Sequence, residues 1–323
     1  MDHDSGRTVF AVVGTGLIGQ AWSIVFARAG HRVQLWDGDA RALSQARALI
    51  EGQVADLYAH GLADEPAALL ARLDYCASLE QALQGAGYVQ ENLPERRDVK
   101  EDIFTRLDAL AAPDTVLASS TSSIPASAFT GGLAGRSRCL VAHPVNPPYL
   151  VPVVELCGAP WTAAAALERA AALMRRVGQT PVHVHRELQG FVLNRLQGAL
   201  LREAFRLVEQ GYVDPDGLDA TIREGLGLRW AFMGPFETID LNAPGGLVDY
   251  CARYGGLYRD IVAEQADERP WAEALVARLE QARRDLIPAQ ALPARRRWRD
   301  LRLMRLAALK QALARQDPDT SGD

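Results

Sequence analysis

The feature that most constrains the fold is a glycine-rich turn between a short apolar segment and a helical one. Residues 9–13, "VFAVV", are typical of a buried strand, and the turn Gly14-Thr15-Gly16-Leu17-Ile18-Gly19 follows at once. A second apolar segment, "HRVQLWD", ends at Asp37. A strand, a GxGxxG turn, a helix and an acidic residue closing the next strand together predict a dinucleotide-binding βαβ unit.

Each glycine of this turn has its own physical task. Gly14 permits a tight turn, Gly16 lets the backbone approach a pyrophosphate, and Gly19 lets the helix pack close to the strand. Leu17 and Ile18 lie between the last two glycines, where the first N–H groups of the helix bind phosphates. We therefore predict that these five residues bind the cofactor.

The carboxylate of Asp37 favours NAD over NADP. It can accept a hydrogen bond from the ribose 2′-hydroxyl, and it repels a 2′-phosphate. Arg41 lies nearby, and its positive charge slightly weakens this preference for NAD over NADP. A glycine turn that binds FAD, or no cofactor, is the alternative. We expect NAD as the cofactor.

The chain changes character near Gln189. Up to that point apolar strand-like segments alternate with helical ones, which predicts an α/β fold with a doubly wound, Rossmann-type sheet. Beyond it, "GFVLNRLQGALLREAFRLVEQG" has apolar residues at helical spacing, and no strand pattern follows. The prediction is an NAD-binding domain over residues 1–189 and an all-α domain, for substrate binding and dimerisation, over residues 190–323.

Composition argues against several other classes of protein. The net charge is −5, and no apolar run approaches the ~20 residues of a membrane span, so we expect neither nucleic acid nor membrane as a partner. The basic segment "ARRRWRDLRLMRLAALKQAL" is interpreted as an amphipathic helix at a subunit interface. The first ten residues show no signal segment and the four cysteines no CxxC pair, so we expect a cytoplasmic protein. His183 and His185 lack a third ligand, so no metal is expected.

An unusual bend, "CLVAHPVNPPYLVPVVEL" at residues 139–156, separates His143 from Glu155. If the two flanking segments pair as antiparallel strands, these residues face each other within contact. The carboxylate would then fix the imidazole tautomer and stabilise the imidazolium, as a general base requires. A packed loop with a surface salt bridge is the alternative. Lysine is disfavoured as the base. The 2-methyl-branched hydroxyacid dehydrogenases resemble this layout but use a lysine on the long helix at 190–210, and Lys100 and Lys310 both lie outside it.

These motifs together resemble the L-3-hydroxyacyl-CoA dehydrogenase superfamily, and the closest likeness is to its lambda-crystallin / L-gulonate 3-dehydrogenase branch. The resemblance covers nearly the whole chain and extends to "ENLPE", "SSTSSI" and "GFVLNRLQ". Its most specific parts are "EGLGLRWAFMGPFETIDLN" and "RRWRDLRLMRLAALK".

The resemblance implies roles for individual positions. His143 matches the catalytic base and Glu155 its partner. Ser122 matches the serine that contacts the substrate oxygen, and Asn194 matches the asparagine that orients the substrate beside the nicotinamide. Two further positions match residues near the cofactor, namely Glu95 and Lys100.

One departure from the superfamily concerns the substrate. Acyl-CoA members have a sequence like "GAGYPMGPFEL" where this chain has "GLGLRWAFMGPFET", so Arg229 and Trp230 are additional. An arginine fork binds a carboxylate, which a thioester lacks. Carnitine dehydrogenases look similar here, and their substrate is also a 3-hydroxy carboxylate. A helix-surface residue or a subunit salt bridge is the alternative for Arg229.

The expected function is therefore NAD-dependent oxidation of a small, L-gulonate-like 3-hydroxy acid. The alternatives are a 3-hydroxyacyl-CoA such as 3-hydroxybutyryl-CoA, carnitine, or no catalysis in an NADH-binding, crystallin-like protein. We also expect a homodimer through the helical domain, because this domain has a long apolar helix and three tryptophans that it cannot bury alone, Trp230, Trp271 and Trp298.

Overall fold

A computed structural model describes residues 8–265 and 269–316 of the chain. It contains one eight-stranded sheet in the order β3-β2-β1-β4-β5-β6-β7-β8. The strands are β1 (Val9–Val13), β2 (Arg32–Trp36), β3 (Leu73–Tyr75), β4 (Ala86–Glu91), β5 (Val116–Ser119), β6 (Cys139–Pro144), β7 (Val153–Gly158) and β8 (Thr180–Val184).

Helices connect the strands and make up the rest of the chain. The α-helices are α1 (Leu17–Arg28), α2 (Ala40–Ala59), α3 (Pro66–Leu70), α4 (Leu79–Leu83), α5 (Arg97–Leu110), α6 (Ser127–Thr130), α7 (Ala164–Arg176), α8 (Phe191–Glu209), α9 (Pro215–Ala220), α10 (Gly227–Trp230), α11 (Pro235–Leu241), α12 (Gly246–Gln265), α13 (Glu273–Leu286) and α14 (Leu292–Gln316). Short 3₁₀ turns lie at Arg136–Arg138 and Ala289–Ala291, and one π-helix lies at Thr221–Leu226.

Strand β1 explains why the sheet has helices on both faces. Phe10 and Val12 belong to one buried apolar cluster, whereas Ala11 and Val13 belong to another. Successive side chains of a strand point to opposite faces, so an uninterrupted apolar strand requires cover on each side. The predicted doubly wound sheet is confirmed, and no strand follows residue 189 within the described parts of the chain.

The last two strands run against the other six. Strands β1 to β6 pair in parallel, β7 pairs antiparallel with β6, and β8 pairs parallel with β7. The reversal follows from chain length, because the short bend between β6 and β7 can only turn the strand back, whereas helix α7 provides a crossover between β7 and β8. As a result, the carboxyl end of β6 meets the amino end of β7.

The chain divides into two compact units. One contains the described residues up to Asn194 together with those from Arg296 onward, and the other contains the described residues from Arg195 to Arg295. The division predicted from the sequence lies near residue 189, and that prediction assigned the last helix to the second domain. In the first unit, Met304 of α14 is 2% exposed and belongs to a core cluster of the sheet, and Arg297 pairs with Asp56 of α2. No helix in the described ranges has the length and apolarity to cross a membrane.

Candidate active site

The turn after β1 has the shape that a dinucleotide pyrophosphate needs. Gly14 has a φ of +89°, and a Cβ there would lie 2.9 Å from the carbonyl carbon of Asn92. A Cβ on Gly16 would meet nothing within 4 Å, which leaves space against the backbone for a ligand. A Cβ on Gly19 would lie 1.9 Å from the Gly14 carbonyl oxygen, so α1 can pack against β1 only with glycine here.

The first turn of α1 fits a phosphate group. Its N-cap residue is Gly16, which has no side chain to bond the first N–H groups, and the turn contains no acidic residue. Leu17 is exposed and Ile18 half-buried. The N–H groups that begin a helix carry partial positive charge and bind anions. The residues present therefore fit a dinucleotide whose phosphates face this turn.

Asp37 follows β2 directly and lies beside the glycine turn. Its Oδ2 accepts hydrogen bonds from the Thr15 N–H at 2.7 Å and from the Thr15 hydroxyl at 3.0 Å. Its Oδ1 accepts a hydrogen bond from the Asp39 N–H at 2.9 Å. The carboxylate is thus held where the adenosine ribose lies in a dinucleotide-binding fold. The Arg41 side chain is exposed.

The carboxylate of Glu95 organises the loop that contains Ser122. Its Oε1 accepts hydrogen bonds from the Thr121 hydroxyl at 2.6 Å and from the N–H groups of Ser122 and Ser123, each at 2.9 Å. The hydroxyls of Ser123 and Ser122 also donate to it, at 2.9 Å and 3.3 Å. Burial alone would raise the pKa of Glu95, but the bonds from Thr121 and Ser123 outweigh it and lower that pKa.

Lys100 lies against the 91–95 segment and is 1% exposed. Its Nζ donates to both carboxylate oxygens of Glu91, at 2.8 Å and 2.9 Å, and to the Leu93 carbonyl at 2.9 Å. All three ammonium donors are therefore used within the protein. Burial raises the pKa of Glu91, and Lys100 opposes this shift. The resemblance implies that Lys100 lies near the cofactor. In the structure, Lys100 stabilises the 91–95 segment through these hydrogen bonds.

His143 and Glu155 form the buried pair that the bend predicts. They are direct partners in the antiparallel register of β6 and β7, and Nδ1 of His143 lies 2.8 Å from Oε2 of Glu155. The two residues are 6% and 2% exposed, so this is not a surface salt bridge. A carboxylate at Nδ1 holds the proton there and leaves Nε2 as the nitrogen that can accept another.

The start of α8 completes this pair. Oε1 of Glu155 accepts hydrogen bonds from the N–H groups of Val192 at 2.8 Å and Leu193 at 3.0 Å. Burial alone would raise the pKa of Glu155, but the bonds from His143 and these two amides prevail and lower it. Phe191 has a φ of +48°, and its ring centroid lies 5.5 Å from that of His143. This uncommon backbone conformation starts the helix with its first amides on Glu155.

Asn194 connects α8 to the serine loop. Its Nδ2 donates a hydrogen bond to the Ser122 carbonyl oxygen at 3.0 Å. The structure therefore brings Ser122, Asn194 and Glu95 together in one connected group, and His143 and Glu155 together in a second. Both groups belong to the first unit.

Arg229 belongs to the second unit and lies in the short helix α10, directly after the π-helix. It is exposed, and its guanidinium has no hydrogen bond or ion pair to the described residues. Its charge acts on Tyr250, whose pKa is raised chiefly by a hydrogen bond with Tyr258 and is lowered to a lesser degree by Arg229. Interruptions of this kind in a helix are frequent at functional sites.

Three supporting residues were not among the predicted site residues, namely Thr15, Glu91 and Phe191. For Glu91 a signal was available, since Lys100 shares one face of α5 with Ile103, Phe104 and Leu107. A lysine on an apolar face needs a buried anion, and a carboxylate ends the preceding strand. Among the described residues, no group of three His, Cys, Asp or Glu side chains could hold a metal ion.

Comparison with known proteins identifies the family of this chain. Residues 9–188 match the NAD-binding domain of 3-hydroxyacyl-CoA dehydrogenase, and residues 190–283 match its C-terminal domain. The lambda-crystallin homolog of Bos taurus is 45% identical over 311 residues, which cover 94% of this chain and 96% of that protein. The resemblance to the lambda-crystallin branch is thereby confirmed.

Two further relatives are enzymes. The L-carnitine dehydrogenase of Pseudomonas aeruginosa is 36% identical over 95% of both chains. The structure of 5-formyl-3-hydroxy-2-methylpyridine 4-carboxylic acid 5-dehydrogenase, an NAD⁺-dependent dismutase, is similar with a TM-score of 0.79 at 28% identity, and covers 95% of this chain and 98% of its own. This chain belongs to the 3-hydroxyacyl-CoA dehydrogenase family and is an NAD-dependent dehydrogenase that acts on CH–OH groups.

Proposed function

We propose that the protein oxidises the 3-hydroxyl of a small, L-gulonate-like 3-hydroxy carboxylic acid. The observation that carries this proposal is the buried His143–Glu155 pair, in which the carboxylate occupies Nδ1 and leaves Nε2 for the hydroxyl proton. Ser122 and Asn194, which the family resemblance relates to substrate, are joined by a hydrogen bond. A base and two polar side chains for the substrate are the groups that such an oxidation requires.

Bound NAD⁺ would accept the hydride that leaves C3. His143 takes the hydroxyl proton at Nε2 as the C–O bond becomes a carbonyl, and it later releases that proton to water. Glu155 stays anionic and stabilises the imidazolium, without itself taking the proton. The bond from the Ser122 hydroxyl to Glu95 is long, 3.3 Å, so this hydroxyl can turn towards a substrate oxygen at small cost.

The choice of an acid over a thioester has two supports. L-carnitine is itself a 3-hydroxy carboxylate, and the substrate named for the structural relative is also a carboxylic acid. Arg229 supplies an exposed guanidinium without an ion pair among the described residues, which can bind a carboxylate with two hydrogen bonds. The alternative is a 3-hydroxyacyl-CoA, the substrate class that gives the family its name.

The test is oxidation of L-gulonate, L-carnitine, 3-hydroxybutyrate and 3-hydroxybutyryl-CoA in parallel, followed by the absorbance of NADH. We expect a hydroxy acid to have the highest kcat/KM. Arg229→Leu should raise the KM for that acid by roughly 10–100-fold, the loss expected for one charge-assisted fork, with little change for the CoA ester. Arg229→Lys should restore part of the affinity, because it keeps the charge without the planar fork.

Arg259→Leu is the matched control, because Arg259 is an exposed arginine of α12 that, among the described residues, pairs with its neighbour Asp260 alone. It should leave KM unchanged. A higher kcat/KM for the CoA ester in the wild-type protein would replace the acid with the thioester. Tight NADH binding without oxidation of any of these compounds would instead favour a non-catalytic, crystallin-like protein.

A further inference from the structure

We infer that Thr15, the residue between the first two glycines of the turn, sets the preference for NAD by holding the Asp37 carboxylate in place. Thr15 is 1% exposed, although it carries a hydroxyl. Both its N–H and its hydroxyl donate to the same oxygen of Asp37, at 2.7 Å and 3.0 Å. A buried hydroxyl aimed at the residue that reads the ribose has a role beyond filling space.

The rest of the turn holds Thr15 rigidly. The Gly14 N–H donates to the Trp36 carbonyl oxygen at 2.9 Å, so the backbone of the turn is already joined to the end of β2. On the other side, Nε2 of Gln20 donates to the Thr15 carbonyl oxygen at 2.8 Å, and Gln20 is 5% exposed. Thr15 is thus held by hydrogen bonds of its N–H, its carbonyl and its hydroxyl. Its two bonds to Asp37 in turn hold the carboxylate in one position.

The effect on cofactor specificity follows from the number of hydrogen bonds that the Asp37 carboxylate can accept. A carboxylate can accept about four hydrogen bonds. Asp37 accepts two from Thr15 and one from the Asp39 N–H. The carboxylate can therefore accept one more hydrogen bond, from a ribose hydroxyl. Because it is already held in place, cofactor binding does not have to order it. A carboxylate that cannot swing away also keeps its charge against a 2′-phosphate. Loss of the Thr15 hydroxyl would weaken both effects.

The experiment is titration of NADH and NADPH, by fluorescence, into the wild-type protein, Thr15→Val and Thr15→Ser. Valine keeps the branched shape and removes the hydroxyl. We expect Thr15→Val to bind NADH roughly 3–10-fold more weakly, the range of one hydrogen bond, and to bind NADPH unchanged or more tightly. The ratio of the two Kd values should fall accordingly. Thr15→Ser keeps the hydroxyl and should behave like the wild-type protein.

Two controls separate this role from general packing. Thr115→Val removes another buried hydroxyl, which donates to the Ala86 carbonyl oxygen at 2.7 Å, at the amino end of the strands and away from the turn. It should leave both Kd values unchanged. In an Asp37→Asn background, Thr15→Val should have little additional effect, because the two residues act as one unit.

Three results would each overturn the inference. The first is an unchanged ratio of Kd values in Thr15→Val. The second is an equal loss in Thr15→Ser or Thr115→Val, which would assign the effect to packing. The third is additivity with Asp37→Asn. The titrations need no hydroxy acid, so they stand apart from the proposal about the substrate.

Discussion

The two units of the chain bury their apolar side chains to very different degrees. In the first unit, Phe10, Trp22 and Phe104 are each 0% exposed and lie in clusters on both faces of the sheet. In the second, Phe236 is 76% exposed and Val248 is 80% exposed. The buried apolar side chains among the described residues of the second unit are Val208, Ala243 and Leu275.

This difference is consistent with a catalytic role for the first unit and a role in subunit assembly for the second. The first unit has a core large enough to fix titratable groups at the carboxyl edge of its sheet, including two buried pairs, His143–Glu155 and Lys100–Glu91. The second unit exposes apolar area that a protein in water rarely leaves uncovered. A homodimer through this unit therefore stays our prediction, and Trp230 and Trp271, 42% and 48% exposed, belong to the surface that it would cover.

The largest expected effect compares one phenylalanine from each unit. Phe10 stacks on Phe26 with ring centroids 4.1 Å apart, so Phe10→Ala should lower the free energy of unfolding by about 3–5 kcal/mol. Phe236→Ala should cost under about 0.5 kcal/mol in a monomer, because little area is lost from burial. Urea unfolding of both variants measures the contrast.

Protein concentration turns this comparison into a test of assembly. If the second unit is covered by a second copy, the stability lost in Phe236→Ala should grow with protein concentration, and light scattering should show a dimer at micromolar concentration. A wild-type monomer at that concentration would contradict the dimer. A small loss in Phe10→Ala would contradict the contrast between the units.

The next effect concerns turnover, which we expect to depend on the first unit. His143→Gln removes the base while keeping a polar side chain of similar size. It should lower kcat on the order of 10²-fold or more, the low end for a general base, and leave the Kd of NADH unchanged. Steady-state kinetics and a fluorescence titration measure the two quantities.

His60→Gln provides the matched control. His60 follows the end of α2, where its Nδ1 lies 2.8 Å from the Asp56 carbonyl oxygen. It should retain the turnover of the wild-type protein. Near-normal turnover in His143→Gln would end the proposed mechanism, whereas equal losses in both variants would indicate damage to the fold.

The sequence predicts the site well where local pattern fixes geometry. Residues adjacent in the chain determine the conformation of the glycine turn. As predicted, Gly14 and Gly19 lie so close to backbone atoms that a Cβ would not fit at either position. The pairing of His143 with Glu155 was also predictable and is confirmed, because a short bend forces antiparallel strands and the two residues lie equally far from its centre at Tyr149, which makes them cross-strand partners on one face.

Other features depend on contacts between distant segments, which a single sequence does not display. Strand β3 has three residues at the edge of the sheet, too few for an alternating pattern. The contribution of α14 to the first unit depends on Met304 reaching a core formed almost entirely by residues before 178. The basic composition of that helix predicts an exposed surface but not which surface its apolar side meets.

The smallest expected effect is the dependence of stability on pH that arises from Glu155. Its pKa in the folded protein lies below the ordinary value of 4.5. A carboxyl with a lowered folded pKa contributes stability that is fully present above its unfolded pKa, and that is lost as the pH falls through the folded value. The free energy of unfolding of the wild-type protein should therefore fall between about pH 5 and pH 3, and that of Glu155→Gln should fall less steeply.

Glu101→Gln is the matched control. It removes an exposed carboxylate paired with Arg97, an ion pair of small energy, and should retain the wild-type slope. Urea unfolding across this range checks all three proteins. Identical slopes in the wild-type protein and Glu155→Gln would mean that His143 and the amides of α8 do not stabilise the ionised carboxylate in solution.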